Sequence, residues 1–150
     1  MKQEDRQLLL KDLCTRLPYG VIVDYKENEF EIPHWKINVI YPETMDGWIG
    51  YDEKVGVGSK SGSRPFNIGE YKPFLRPMSS MTEEEEKEYR KTMDKYTHRL
   101  YPNSADFSEH TEYSWTTETF DFLNAHHLDY RGLIPMGLAI EAPKGMYNIN

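Results

Sequence analysis

Four groups of side chains in this sequence have the types and spacing to do chemistry, and each also has a plainer structural role. His126, His127 and Asp129 gather two imidazoles and a carboxylate in one short stretch. On a helix, His126 and Asp129 share a face at i,i+3 spacing, which suits a divalent metal and hence a metal-dependent hydrolase. Adjacent histidines, however, point about 100° apart on a helix, and no HExxH-type spacing accompanies them. The plainer expectation puts His127 on the core face and His126 toward solvent or the helix end. Arg76 and Arg131 each carry a guanidinium fork suited to phosphate or carboxylate. Each equally suits an ion pair within the fold, for Arg131 with Asp129, Glu118 or Asp121.

Lys60 and Arg64 lie in a Gly- and Ser-rich stretch, residues 56–69, that is basic within a chain of net charge -7. The stretch has neither the P-loop order of residues nor GxGxxG. It reads as a loop: either a flexible flap bringing Lys60 and Arg64 to an anion, or an ordinary solvated connector. Trp35 and Trp48 head a set of rings, with Tyr41, Tyr51, Tyr113 and Trp115, that line a stacking pocket or simply fill the core. Covalent catalysis has little support. GxSxG is missing, and Cys14, the one cysteine, falls on the apolar side of a helix, where a thiol behaves as a small hydrophobe.

The elements that must position these residues follow from the hydropathy pattern. The chain has 150 residues, 38% hydrophobic and 29% charged, with a mean hydropathy of -0.76. Such polarity approaches that of disordered chains, but eleven Tyr, six Phe and three Trp argue for a folded domain whose core leans on rings. Apolar runs are too short for a membrane span or a signal-peptide core. The single cysteine excludes a disulfide framework and points to the cytoplasm. An isoelectric point near 5.2 speaks against direct nucleic-acid binding.

Leu9, Leu10, Leu13, Cys14 and Leu17 recur at helical spacing, with Glu4, Asp5, Lys11 and Arg16 opposite, so residues 3–17 read as an amphipathic helix ended by Pro18. Tyr19–Tyr25 and Phe30–Tyr41 read as strands, the second with Ile37, Val39 and Tyr41 on one face. Met45-Asp46-Gly47 offers a tight hairpin turn into a third strand, Trp48–Tyr51. Ser80 with Glu83 and Thr82 with Glu85 form overlapping capping boxes, and four glutamates followed by Arg90, Lys91 and Lys95 predict a surface helix over 83–96. Residues 102–108 read as a loop and 112–116 as a short strand. Thr116 or Thr117 starts a last helix, running to Tyr130 with Gly132 as its stop. Residues 137–140 add an edge strand.

Tyr71–Glu85 (YKPFLRPMSSMTEEE), Phe122–Ile134 (FLNAHHLDYRGLI) and Gly137–Tyr147 (GLAIEAPKGMY), with Gln7–Val21 at the start, resemble a group of small acidic uncharacterised proteins of gut Bacteroidota and their phages and prophages. Residues 24–69 lie outside that likeness. The resemblance implies a bacterial or phage cytoplasmic protein and no particular activity or site.

The expected fold is α+β, a single domain over residues 1–150. An antiparallel sheet is packed by the N-terminal and C-terminal helices, with the acidic helix on the surface. The expected function is non-enzymatic and cofactor-free: sequestration of an anionic small molecule such as a signalling nucleotide. Lys60, Arg64, Arg76 and Arg131 supply charge and Trp35 or Trp48 stacks. The alternatives are an inhibitor whose acidic surface, including Glu83–Glu88, engages a basic nucleic-acid-binding or defence enzyme of the host, and a hydrolase holding a metal on His126 and Asp129. No membrane partner is expected, and homo-oligomer formation stays open.

Overall fold

A computed structural model describes residues 1–55, 58–100 and 108–147, with side chains at 1–51, 61–96 and 111–147. Helix α1 spans Gln3–Arg16 and yields to a 3₁₀ turn at Leu17–Tyr19; Leu17 keeps helical dihedrals (φ -50°, ψ -43°), so the change follows from the N–H that Pro18 lacks and not from a displaced Leu17. Gly20 then takes a left-handed conformation (φ 73°) that reverses the chain. The strand expected at 19–25 is not an extended ladder. Within it only Ile22 and Val23 form bridges, to Lys36 and Pro73.

Three strands, β1 (Lys36–Tyr41), β2 (Asp46–Val55) and β3 (Gly58–Asn67), form an antiparallel sheet in that order. The turn between β1 and β2 comprises residues 42–45, with Met45 at φ 56°, so Asp46 and Gly47 belong to the strand rather than the turn. Gly47 is there for space: a Cβ would lie 2.0 Å from the Val39 carbonyl oxygen. The register slips between Ile37 and Val39, a bulge that changes which side chains face inward. Ile37 is therefore buried, whereas Val39 and Tyr41, expected on the same face, are exposed.

The Gly- and Ser-rich stretch is a strand over most of its length, not a loop. Its register runs unbroken from Asp46↔Asn67 to Val55↔Gly58; residues 56 and 57 lie outside the described residues. A ten-residue partner overrides weak local preference. Helix α1 covers the sheet through Leu9 and Leu13, which pack with Trp35, Ile37, Ile49 and Phe66. Of the edge strand expected at 137–140 only Ile140 is extended, residues 137–139 being turn and bend; β7 (Ile140–Glu141) pairs parallel with β4 (Phe74–Leu75) in a separate small sheet.

The class is thus α+β, with an N-terminal and a C-terminal helix. Contacts divide the chain into two compact units, one of residues 1–78 with 124–150 and one of residues 79–123. In the second, α2 (Glu83–Thr92) begins at a capping box between Thr82 and Glu85 and has no buried residue. It stops four residues before the expected end because Met93 turns extended and Asp94–Leu100 forms β5. That strand pairs with β6 (Ser108–Ser114). The loop expected at 102–108 falls almost wholly outside the described residues. Helix α3 spans Thr117–Ala125, so it ends short of the expected Tyr130: His127, at φ 58°, has already left the helical region. No helix among the described residues is long and apolar enough to cross a membrane.

Candidate functional site

The inner face of the sheet carries Phe66, Arg64 and Gly62 along β3, beside Ile49 and Tyr51 of β2. At one end of that face aromatic rings replace aliphatic packing. Trp35 is buried and meets Tyr51 edge-on at 4.7 Å and Tyr25 at 4.9 Å between centroids; Tyr25 in turn meets Tyr71 at 5.1 Å and His34 meets Tyr51 at 5.0 Å. Such edge-to-face pairs are the favoured geometry for rings with opposed quadrupoles. Gly62 makes the cluster possible, since a Cβ there would lie 2.5 Å from Tyr51 and 3.1 Å from Trp35.

Arg64 projects over this cluster, its guanidinium carbon 5.5 Å from the Tyr25 centroid. Its side chain is 54% exposed, and a terminal nitrogen lies 3.8 Å from a Glu27 carboxylate oxygen, a loose pair beyond hydrogen-bond distance. The Trp35 indole N–H is buried with no hydrogen-bond partner among the described residues. Burial raises the Tyr71 phenol above its ordinary range, helped by the charge of Glu70 and the hydrogen bond to it. Tyr25, His34, Tyr51 and Tyr71 are all half-buried, so the cluster is partly open to solvent.

Of the residues expected to form one anion site, Arg64 and Trp35 come together and the others do not. Lys60 pairs with Glu53 in the β2–β3 ladder, its side chain lying outside the described residues. Trp48 is 39% exposed on the opposite face of the sheet, between Val39 and Pro65. Arg76 bridges residues 127–129 through its backbone, and one guanidinium nitrogen points at the His126 carbonyl at 3.4 Å. Arg131 donates to Asp12 at 3.1 Å, not to the acids the sequence suggested, and lies over the Tyr130 ring.

The helical premise behind a His126–Asp129 metal pair fails, because α3 ends at Ala125. Both Asp129 carboxylate oxygens instead accept backbone N–H groups, from Leu133 at 2.8 Å and Ile134 at 2.9 Å. Among the described residues no three His, Cys, Asp or Glu side chains converge on a point that could hold a metal. Cys14 is half-buried, and burial pushes its thiol up, away from the nucleophilic thiolate.

Two features escaped the sequence. Arg16, expected on the polar face of the first helix, is fully buried and forms a forked pair at 2.8 and 3.1 Å with Asp12, also fully buried, and it donates to the Leu128 carbonyl as well. An Asp–Arg pair at i,i+4 was the available signal. In the other unit, buried Thr119 joins Thr92 and Thr116 in a hydroxyl network, beside an open hollow of about 300 Å³ lined by Lys91, Asp94, Thr117 and Glu118 among others. The network's hydroxyls satisfy one another and nearby backbone, including the reciprocal bonds between Thr116 and Thr119 that start α3.

The chain matches no protein-family model, no curated protein and no solved structure.

Proposed function

We propose that this chain is a non-enzymatic binding protein that holds a ring-bearing anion, such as a signalling nucleotide, at the Arg64 end of its three-stranded sheet. One observation carries this reading: a half-exposed guanidinium is laid on Tyr25 at the edge of the Tyr25–Trp35–Tyr51–Tyr71 cluster, with a loose carboxylate partner among the described residues. A cation held against rings offers an anion charge-assisted hydrogen bonds and offers its ring a stacking surface. The rings are locked by their neighbours, so little side-chain order remains to be lost on binding. The setting we propose is bacterial or phage, on the resemblance of Gln7–Val21, Tyr71–Glu85, Phe122–Ile134 and Gly137–Tyr147 alone; residues 24–69, which hold most of the site, lie outside that resemblance.

Calorimetric titration with nucleotides and aromatic carboxylates tests the proposal. Saturable binding that is lost in Arg64→Ala and kept in Trp48→Ala is the expected result. No saturable binding at millimolar ligand would overturn it.

A second reading has its own observation. Helix α2 buries none of its residues and begins with four consecutive glutamates, a surface suited to a basic protein partner such as a nucleic-acid-binding or defence enzyme. Association that weakens steeply with salt, and with charge reversal at Glu83–Glu86, would favour it.

A further inference from the structure

One carboxylate among the described residues stands directly beside Arg64. Glu27 lies 3.8 Å from the guanidinium. Glu31 accepts the Glu27 backbone N–H at 3.1 Å and sits 3.5 Å from the His34 imidazole. Glu70 raises the Tyr71 phenol and Arg64 acts on it in the opposite sense. Glu70 is fixed by accepting the Asn67 N–H at 2.9 Å. Among the described side chains Arg64 is therefore set against the aromatic cluster with the Glu27 carboxylate 3.8 Å away, while Glu31 is fixed to Glu27 and Glu70 to Asn67.

Resting on the binding site proposed above, we infer that Glu27 is a charge filter that restricts the ligand to a singly charged, ring-bearing anion. The chemical class is a cyclic phosphodiester or an aromatic carboxylate, and not a terminal phosphate. Glu27 is tethered beside Arg64 and competes for it at high effective concentration. This competition weakens every anion alike. The repulsion that remains once a ligand is bound does discriminate, because it scales with ligand charge. A terminal phosphate carries nearly two charges at pH 7.5, its second proton being lost near pH 6. Its extra attraction to the guanidinium is offset by doubled repulsion from Glu27. A monoanion meets half that repulsion and keeps the full stacking contribution of its ring. Glu27 is placed for this role by its own backbone, held by the Glu31 carboxylate, and not by the strength of its pair with Arg64.

Titration calorimetry of the full chain at pH 7.5 with three probes of one base tests the filter: adenosine, adenosine 3′,5′-cyclic monophosphate and adenosine 5′-monophosphate. The wild-type chain is expected to bind the cyclic monoanion more tightly than the dianion, with adenosine weaker than the cyclic form. In Glu27→Gln, removal of one nearby charge is expected to tighten the cyclic form by roughly threefold and the dianion by about tenfold, the larger gain following its larger charge. Circular dichroism of the variant checks that the fold is kept. If the dianion binds the wild-type chain more tightly, or Glu27→Gln changes both affinities by the same factor while Arg64→Ala still abolishes binding, the filter is wrong and the site stands. If neither nucleotide binds any variant, or Arg64→Ala binds as well as wild type, the site falls and the filter with it.

Discussion

The His127 imidazole lies flat on the Tyr147 ring, their centroids 3.7 Å apart and their planes 14° from parallel. Tyr147 in turn accepts the Ile22 N–H at 2.9 Å and donates to the Phe74 carbonyl at 2.8 Å. One ring thus ties the C-terminal segment to both the residue after the first turn and the start of β4. The Tyr147 phenol is pushed up mainly by burial, which keeps it protonated and able to donate.

The burial of His127 makes stability depend on pH. His127 is buried, its Nδ1 has no hydrogen-bond partner, and burial followed by the charges of Arg16, His126, Arg76 and Lys36 lowers its pKa to about 4. The unfolded chain binds this proton near pH 6.5, so between pH 6.5 and 4 it holds more protons than the folded one. Stability is then full above pH 6.5 and declines as pH falls through that window, by about 3 kcal/mol in total. Thermal unfolding from pH 7.5 to 4 reads the slope. In His127→Asn, which tolerates the left-handed backbone, the slope is expected to flatten.

Asp12 holds two arginines, Arg16 at 2.8 and 3.1 Å with both side chains fully buried, and Arg131 at 3.1 Å with its side chain 20% exposed. Asp12→Ala leaves a buried guanidinium without its counterion and is expected to cost about 3–5 kcal/mol in urea unfolding. The exposed Glu86–Arg90 pair has the same i,i+4 spacing at 3.1 Å, yet Glu86→Ala is expected to cost at most about 0.5 kcal/mol, since water screens it. Equal losses in the two variants would contradict this assignment of burial.

Gly47 and Gly132 separate two reasons for glycine. At Gly47 a Cβ would meet backbone at 2.0 Å, whereas at Gly132, with φ 75°, nothing lies within 4 Å. Gly132→Ala is expected to cost about 1 kcal/mol, the strain of a left-handed alanine. Gly47→Ala must part β1 from β2 and is expected to cost several times more, read as a lower urea midpoint.

Much of this architecture was legible. The Pro18 stop, the capping box at Thr82 and Glu85, and the burial of His127 each rest on chemistry contained within a few residues. What could not be read depends on partners far along the chain. The bulge at residue 38 exposes Val39 and Tyr41 because the fit to β2 decides the register. β3 exists because β2 pairs with it, and Gly62 serves there as room for Trp35 and Tyr51. The same pairing converts Arg64 from a residue on an expected flap into a fixed one above Tyr25. Arg131 looked equivalent to it by type, and Trp48 to Trp35, yet an Asp12 more than a hundred residues away holds the first. The sheet itself separates the second.

Native mass spectrometry of wild-type and Arg64→Ala chains, purified gently from the producing cells, tests the binding account most directly. The expected result is a wild-type mass above whole multiples of 17.7 kDa, with an anionic ring-bearing molecule released on denaturation and missing from Arg64→Ala. Bare-chain masses for both proteins, or the same bound molecule on both, would contradict it.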